Sequence, residues 1–373
     1  MLSVRGMMQD RRHMIVRTTL SSLLAVAVIS PTVSAVNRRV SANLVFWDQD
    51  RGFDTIVTNA DVLSEVSPFW YHADASGEVL PYVTPAGATY EDPSILAFLR
   101  ERGILVIPSV TNIVDGVWNG PLVSRIIANP DLTTVNIYNL VQLAVTRGYD
   151  GIDLDYEELA ASDRTAYSAF VAQLAAALHA AGKLLTVNVY AKASEPGTWD
   201  GPRAQDWTAI GNVADQVRIM TYEYHWSTSD AGPIAPVEWV DQVLSFARSV
   251  IPVHKIMEGV PLYGYDWTGR SGTPIVFDEA MSLSAQRGAP VNWDTSSASP
   301  RLEYVAQQER HAVWFENAAS VDAKLALAES HDIRGVTLWR LGGEDPAAWL
   351  TLQSRFNRAA HGNSSVAEVT AYR

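Results

Sequence analysis

From Ala42 onward, short apolar runs rich in β-branched and aromatic residues recur between longer segments whose apolar positions repeat at helical spacing. The runs predict strands at Leu44–Trp47, Glu65–Trp70, Leu105–Ser109, Gly151–Tyr156, Leu184–Val189, Gln216–Thr221, Ile256–Leu262 and Gly335–Trp339. The clearest helix is Ser162–Ala181, where Tyr167, Phe170, Val171, Leu174 and Leu178 share one face, Ser162 suits the N-cap and Gly182 the stop. Further helices are expected at Pro93–Arg102, Pro121–Asn129, Thr133–Arg147, Val237–Val250 and Ser320–His331. Strands each followed by a helix predict an α/β fold, a parallel sheet closed into a (β/α)8 TIM barrel spanning 42–356. A doubly wound open sheet would alternate in the same way, but no glycine-rich phosphate loop follows the first strand.

The stretch from Tyr263 to Asp332 is roughly twice the length of an ordinary barrel unit. Strand-like runs at Arg301–Val305 and His311–Phe315 place a small insertion, about 266–318, in the last unit. The polar tail, 357–373, reads as frayed. At the other end, Arg11, Arg12 and Arg17 precede an apolar run from Leu20 to Ile29, then Pro31 and Val33-Ser34-Ala35. These are the parts of a secretory signal peptide over residues 1–35. The run is short of the ~20 apolar residues a membrane span needs. A single N-terminal anchor helix is the alternative, and Arg11-Arg12 is a poor twin-arginine match.

Composition narrows the class. The 373 residues carry a net charge of −13, which argues against nucleic-acid binding. Residues 1–35 hold four Arg and one Asp, so the remainder is more acidic still. The absence of cysteine excludes disulfides, thiol nucleophiles and thiolate metal sites, and fits bacterial secretion or the cell envelope. Twelve tryptophans are many for such a chain and call for a use.

The fourth strand carries the chemistry. It reads Tyr149-Asp150-Gly151-Ile152-Asp153-Leu154-Asp155-Tyr156-Glu157. Alternation sends Asp153, Asp155 and Glu157 one way and Ile152, Leu154 and Tyr156 the other. In a barrel the carboxylates would line the interior and rise toward the C-terminal mouth, where barrel enzymes place their sites. Three such neighbours cannot all ionise cheaply, so they should share a proton and titrate as a unit. A carboxylic acid protonated near neutral pH is what general-acid catalysis needs. Asp150 falls on the opposite face and reads as a structural residue fixing the strand's start. A solvated acidic strand does not fit the apolar alternation. A metal site would want histidine or more carboxylates on neighbouring strand ends, which offer mostly Trp, Tyr and Asn. No metal or cofactor is expected. The histidines show no HExxH pair, and no Gly-x-Ser-x-Gly elbow occurs.

Asp-Gly-Ile-Asp-Leu-Asp-Tyr-Glu, residues 150–157, resembles the DxxDxDxE signature of family 18 glycoside hydrolases. The resemblance covers most of the chain after Ala42. It extends to Met220-Thr221-Tyr222-Glu223 on the sixth strand, Gly259-Val260-Pro261-Leu262-Tyr263-Gly264 on the seventh and Trp339-Arg340-Leu341-Gly342-Gly343-Glu344-Asp345 on the eighth. It implies cleavage beside N-acetylglucosamine in which the substrate's own acetamide oxygen is the nucleophile. Glu157 would protonate the glycosidic oxygen, and Asp155 would hold the acetamide N–H. Asp153 would share a proton with Asp155, Tyr222 would hold the acetamide oxygen, and Trp339 would floor the reacting sugar. Plain packing is the alternative for Tyr222 and Trp339.

Two departures point to a branch. Many chitinases carry Ser-x-Gly-Gly on the third strand, where this chain has Ser109-Val110-Thr111-Asn112. Many also have Asp after the sixth-strand Tyr, where this chain has Glu223. With Trp-Arg-Leu-Gly on strand eight, these are similar to the spore-cortex and cell-wall N-acetylglucosaminidases, although no LysM module is visible. The short insertion implies a shallower cleft than in processive chitinases. Candidate substrate-binding residues are Trp339, Glu223, Trp47, Trp70, Asn112 and Met220. Trp118, Trp226 and Trp267 also fall near strand ends, as sugar platforms or as anchors. Trp207, Trp239, Trp314 and Trp349 read as packing residues. The expected partner is an N-acetylglucosamine-containing polysaccharide or oligosaccharide, bound by a monomer that meets no nucleic acid and no membrane beyond the export signal. A non-catalytic, lectin-like member of the same fold is the alternative.

Overall fold

The computed structural model describes residues 38–356, so the signal segment and the tail lie outside the described residues. Eight parallel strands form the closed sheet: β1 (Arg39–Val45), β2 (Glu65–Ala73), β3 (Ser109–Thr111), β4 (Gly151–Asp155), β5 (Leu184–Tyr190), β6 (Gln216–Met220), β7 (Ile256–Pro261) and β8 (Gly335–Trp339). Each pairs with its sequence neighbour, and β8 pairs back onto β1, Arg39 opposite Gly335. The third strand is broken at Pro108, so Leu105–Val106 joins β2 separately. A proline has no N–H to give a ladder.

Each helix that the spacing predicts forms, with bounds set by caps. Arg164–Ala180 buries Tyr167, Phe170, Val171, Leu174 and Leu178 on one stripe. Burial of each large side chain stabilises by about 1.5–3 kcal/mol. Gly182, at φ 68, ends it, whereas Ser162 lies inside a 3-10 turn, Ala161–Asp163, rather than at an N-cap. Asn129 accepts from the N–H groups of Asp131 and Leu132 and starts Pro130–Arg147. The helix Gln49–Asn59 was not among those expected; its Gly52 packs closely on β1, where a Cβ would lie 2.6 Å from Leu44 Cδ1.

The extra segment differs most from its expectation. It runs from Tyr263 to Trp314 as a five-stranded antiparallel sheet carrying the helix Phe277–Arg287. It lies between β7 and the helix Ala318–Ser330 that follows, so it belongs to the seventh unit rather than the last. Beyond β8 only a short turn separates the sheet from the final helix, Ala347–Arg355. The insertion has its own small core of Ile275, Ala280, Leu302, Val313 and Phe315. Among the described residues no helix is long and apolar enough to cross a membrane.

Candidate active site

β4 is buried along its whole length, and its two faces have opposite chemistry. Ile152 and Leu154 pack outward with Tyr156, whose hydroxyl donates to Asn136 Oδ1 at 2.9 Å. Asp153 and Asp155 point into the barrel. Asp150 accepts from the Val106 N–H at 2.8 Å and ties the strand's start to its neighbour.

Asp153 is fully paired. Ser109 Oγ donates to it at 2.7 Å and Asn188 Nδ2 at 2.9 Å, and the Thr186 hydroxyl also donates. Arg218 Nη1 lies 3.1 Å away, and the same guanidinium donates to Glu65 at 3.0 Å and Ser67 at 2.6 Å. One buried cation thus bridges two buried carboxylates in the lumen. Asp155 lacks such support: its Oδ1 is buried with no hydrogen-bond partner. Burial, then the charges of Glu157 and Asp153, hold its pKa well above the usual carboxylate range, against the pull of Arg218.

Glu157 follows the strand. Asn112 holds its backbone from both sides, Oδ1 accepting from the Glu157 N–H at 2.9 Å and Nδ2 donating to its carbonyl at 2.8 Å. Its Oε2 accepts from the Tyr190 hydroxyl at 2.6 Å. Burial is the main reason its pKa is pushed up to about 7; Glu158 and Glu223 add to the rise, and the Tyr190 bond opposes it. Across the mouth, Tyr222 packs over β7 at Gly259, where a Cβ would lie 2.9 Å from the ring and 2.5 Å from the Ile219 carbonyl. Burial and the surrounding carboxylates, Asp155 first, push its phenol far up. Glu223 accepts from Tyr265 at 2.9 Å and from the Tyr263 hydroxyl, both on the insertion's first strand, Tyr263–Thr268. Burial raises its pKa against these two bonds.

Aromatic rings complete the mouth. Trp339 ends β8, with Phe69 at 5.6 Å and Trp47 at 6.5 Å, both edge-on, and Trp47 is 51% exposed. On the far side of Glu157 the half-exposed Trp199 stands edge-on to Tyr190 at 4.6 Å.

Against known proteins, the model for "Glycosyl hydrolases family 18" matches residues 115–344. The chain belongs to glycosyl hydrolase family 18. A Bacillus subtilis protein named as a sporulation-specific glycosylase, YdhD, is 30% identical over 86% of this chain and 76% of its own. The cortical fragment-lytic enzyme of the same organism is 31% identical over 76% of this chain and 70% of its own. Among solved structures, a chitinase from Chromobacterium violaceum superposes with a TM-score of 0.79 at 29% identity, covering 86% of this chain and 99% of that one. The protein is thus a family 18 glycoside hydrolase with cortex-lytic and chitinase relatives.

In this family 18 barrel, Asp153, Asp155, Glu157, Tyr222, Glu223, Trp339 and Trp47 gather at the C-terminal mouth, with the half-buried Met220 ending β6. Two expected sugar contacts are corrected. Trp70 is fully buried and donates to Gln49 Oε1 at 2.6 Å, because strand parity turns it onto the outer helices. Its neighbour Phe69 takes the inward position under Trp339. Asn112 is also fully buried, with both ends of its amide engaged by the Glu157 backbone. Trp267 is an anchor, donating to the Trp226 carbonyl at 3.2 Å, while Trp226 itself stays 46% exposed. Sequence reasoning missed Arg218, Tyr190, Tyr263 and Tyr265. Arg218 had a signal: it is a charged residue inside an apolar strand, at the parity that faces the carboxylates. Among the described residues no group of three or more His, Cys, Asp or Glu is placed to hold a metal ion.

Proposed function

We propose that the protein is a secreted, retaining hydrolase that cleaves β-1,4 bonds next to N-acetylglucosamine, in peptidoglycan or chitin-type oligosaccharides, by substrate-assisted catalysis. The observation that carries this is the pairing of Glu157, poised near pH 7, with Asp155, whose buried Oδ1 lacks a partner. An acid with that pKa donates a proton readily at neutral pH. Asp155 offers an acceptor for an acetamide N–H, and Tyr222 offers a donor from the opposite side. As Glu157 protonates the glycosidic oxygen, the C1–O bond breaks and the acetamide oxygen bonds C1, giving a cyclic cation. Glu157, now ionised, takes a proton from water as that water opens the ring with net retention. Proximity within one sugar favours the internal attack. Trp339 would floor that sugar and Trp47 its neighbour, with Glu223 and Met220 along the same cleft. Residues 1–35 would direct export to the bacterial envelope or beyond, and 42–356 would act as a monomer with 357–373 as a tail.

The test is product analysis on chitin oligomers and purified peptidoglycan in parallel, with Glu157→Gln beside the wild type. The variant should lose hydrolysis by several orders of magnitude while still binding oligosaccharide. A wild type that binds both glycans and cleaves neither would instead be the lectin-like relative. A thiazoline mimic of the cyclic intermediate should inhibit, and indifference to it would count against the acetamide route.

A further inference from the structure

We propose that Tyr190 is a positioning residue for Glu157: its hydroxyl, donating to Oε2, reserves the transferable proton for Oε1 on the cleft side. The inference rests on the catalytic reading above and adds which oxygen acts.

The phenol has one hydrogen and three polar neighbours. Glu157 Oε2 is 2.6 Å away, Glu158 Oε1 is 3.2 Å away, and the Glu158 N–H approaches the phenol oxygen at 3.3 Å. The Glu158 amide can only donate, so it takes a lone pair and leaves the hydrogen for a carboxylate. The shorter bond selects Glu157. An oxygen that accepts this bond is poorly placed to hold the acid's own proton, which then resides on Oε1. Among the described residues, the side-chain hydrogen bond to the Glu157 carboxylate ends on Oε2. When Oε1 gives its proton to the departing oxygen, Tyr190 keeps its own and stabilises the carboxylate left behind. Its pKa is raised far above the ordinary value, by burial and then by the Glu157 charge, so it remains a donor throughout.

The surroundings are built to aim this hydroxyl. Glu158 adopts φ 58, a left-handed conformation that costs a residue with a side chain about 1 kcal/mol or more and that turns its N–H toward Tyr190. Tyr190 N–H donates to Gln205 Oε1 at 2.7 Å, and the buried Lys192 pins that loop through the carbonyls of Pro202 at 3.0 Å and Gln205 at 2.6 Å. Trp199 stands against the ring, and Gly201 fits beneath both: a Cβ there would lie 2.4 Å from Trp199 and 2.7 Å from Tyr190. The titratable groups facing Glu157 are Asp155 and Glu158 on its own segment, Tyr190 from β5, Tyr222 and Glu223 after β6, and Tyr167 from the helix Arg164–Ala180. No cation is among them, which makes the single phenol bond influential.

Tyr190→Phe keeps the ring and removes the bond. The measurement is the carbon-13 titration of the Glu157 carboxyl, identified as the Glu resonance lost in Glu157→Gln, together with kcat and KM against pH. The carboxyl midpoint should rise by about one unit, the size of one hydrogen bond to a charged group. The alkaline limb of kcat/KM should follow it, with kcat about tenfold lower and KM little changed. A merely structural tyrosine would lower activity without moving either midpoint, and that result overturns the proposal. Trp199→Ala, which unmoors the ring without touching the carboxyl, should move the midpoint part of the way. If it does so even where Tyr190→Phe does not fold, the proposal stands; an unmoved midpoint counts against it. A wild type that cleaves no glycan defeats the proposed function, while the carboxyl titration still decides the role of Tyr190.

Discussion

Two buried clusters in this protein hold the same kinds of group, two carboxyls and one cation, and solve the problem differently. In the lumen, Arg218 lies between Asp153 and Glu65, and Ser67, Gln216, Ser109, Thr186 and Asn188 supply further bonds. Between β7 and the helix Ala318–Ser330, Lys324 donates to Glu316 at 2.7 Å, and Glu258 is left with both oxygens buried and unbonded. The guanidinium presents several donors in a planar fork and can serve two acids at once; the ammonium is a compact point charge. Hence burial pushes the Glu258 pKa well above the ordinary 4.5, against the partial relief of Lys324, and favours its neutral form. A bridging arginine keeps the acid under the catalytic strand fixed, whereas the lysine cluster only tolerates its second acid.

Removing the cations should separate the two solutions most. Arg218→Met would strand two bonded carboxylates in the lumen and should cost about 3–5 kcal/mol in denaturant unfolding. Hydrolysis should also fall, since Asp153 loses its anchor. Lys324→Met removes the cation from one bonded acid, Glu316, where Arg218→Met removes it from two, so its loss should be smaller, about 3 kcal/mol, with activity in the surviving fold retained. Arg218→Lys keeps the charge and loses the fork; a cost of about 2 kcal/mol would support the geometric account, and a neutral result would sink it. The smallest effect has the opposite sign. Glu258 has a raised folded-state pKa, so its contribution is fully present below the unfolded value near 4.5 and lost as pH rises toward the folded one. Glu258→Met should therefore flatten the fall in stability as pH rises above about 4.5, and gain about 1 kcal/mol at neutral pH. Equal slopes for variant and wild type would show that Glu258 ionises freely.

What could be read beforehand follows the same divide between local pattern and distant pairing. The barrel was legible because each strand is a short apolar run and each long helix has one stripe, as in Arg164–Ala180. The three carboxylates were legible because strand parity is a local property. Trp70 was expected at the mouth because it falls at a strand end, but its parity turns it outward and leaves the inward place to Phe69. Asn112, Tyr190 and Arg218 act on partners 45, 33 and 65 positions away, and no local period encodes such a distance. The insertion's sheet was underestimated because its edge strands, such as Ser271–Val276, are polar and half exposed, so their pattern resembles loops.

Tyr263 is separated from the end of β7 by Leu262 alone, yet it already belongs to the insertion's sheet, and with Tyr265 it grips Glu223. One wall of the cleft is therefore supplied by the insertion, while the acid and its supports come from the ends of β3, β4 and β5. Such a division of labour lets a lineage re-tailor the wall by exchanging one contiguous segment, with the proton-transfer machinery left as it is.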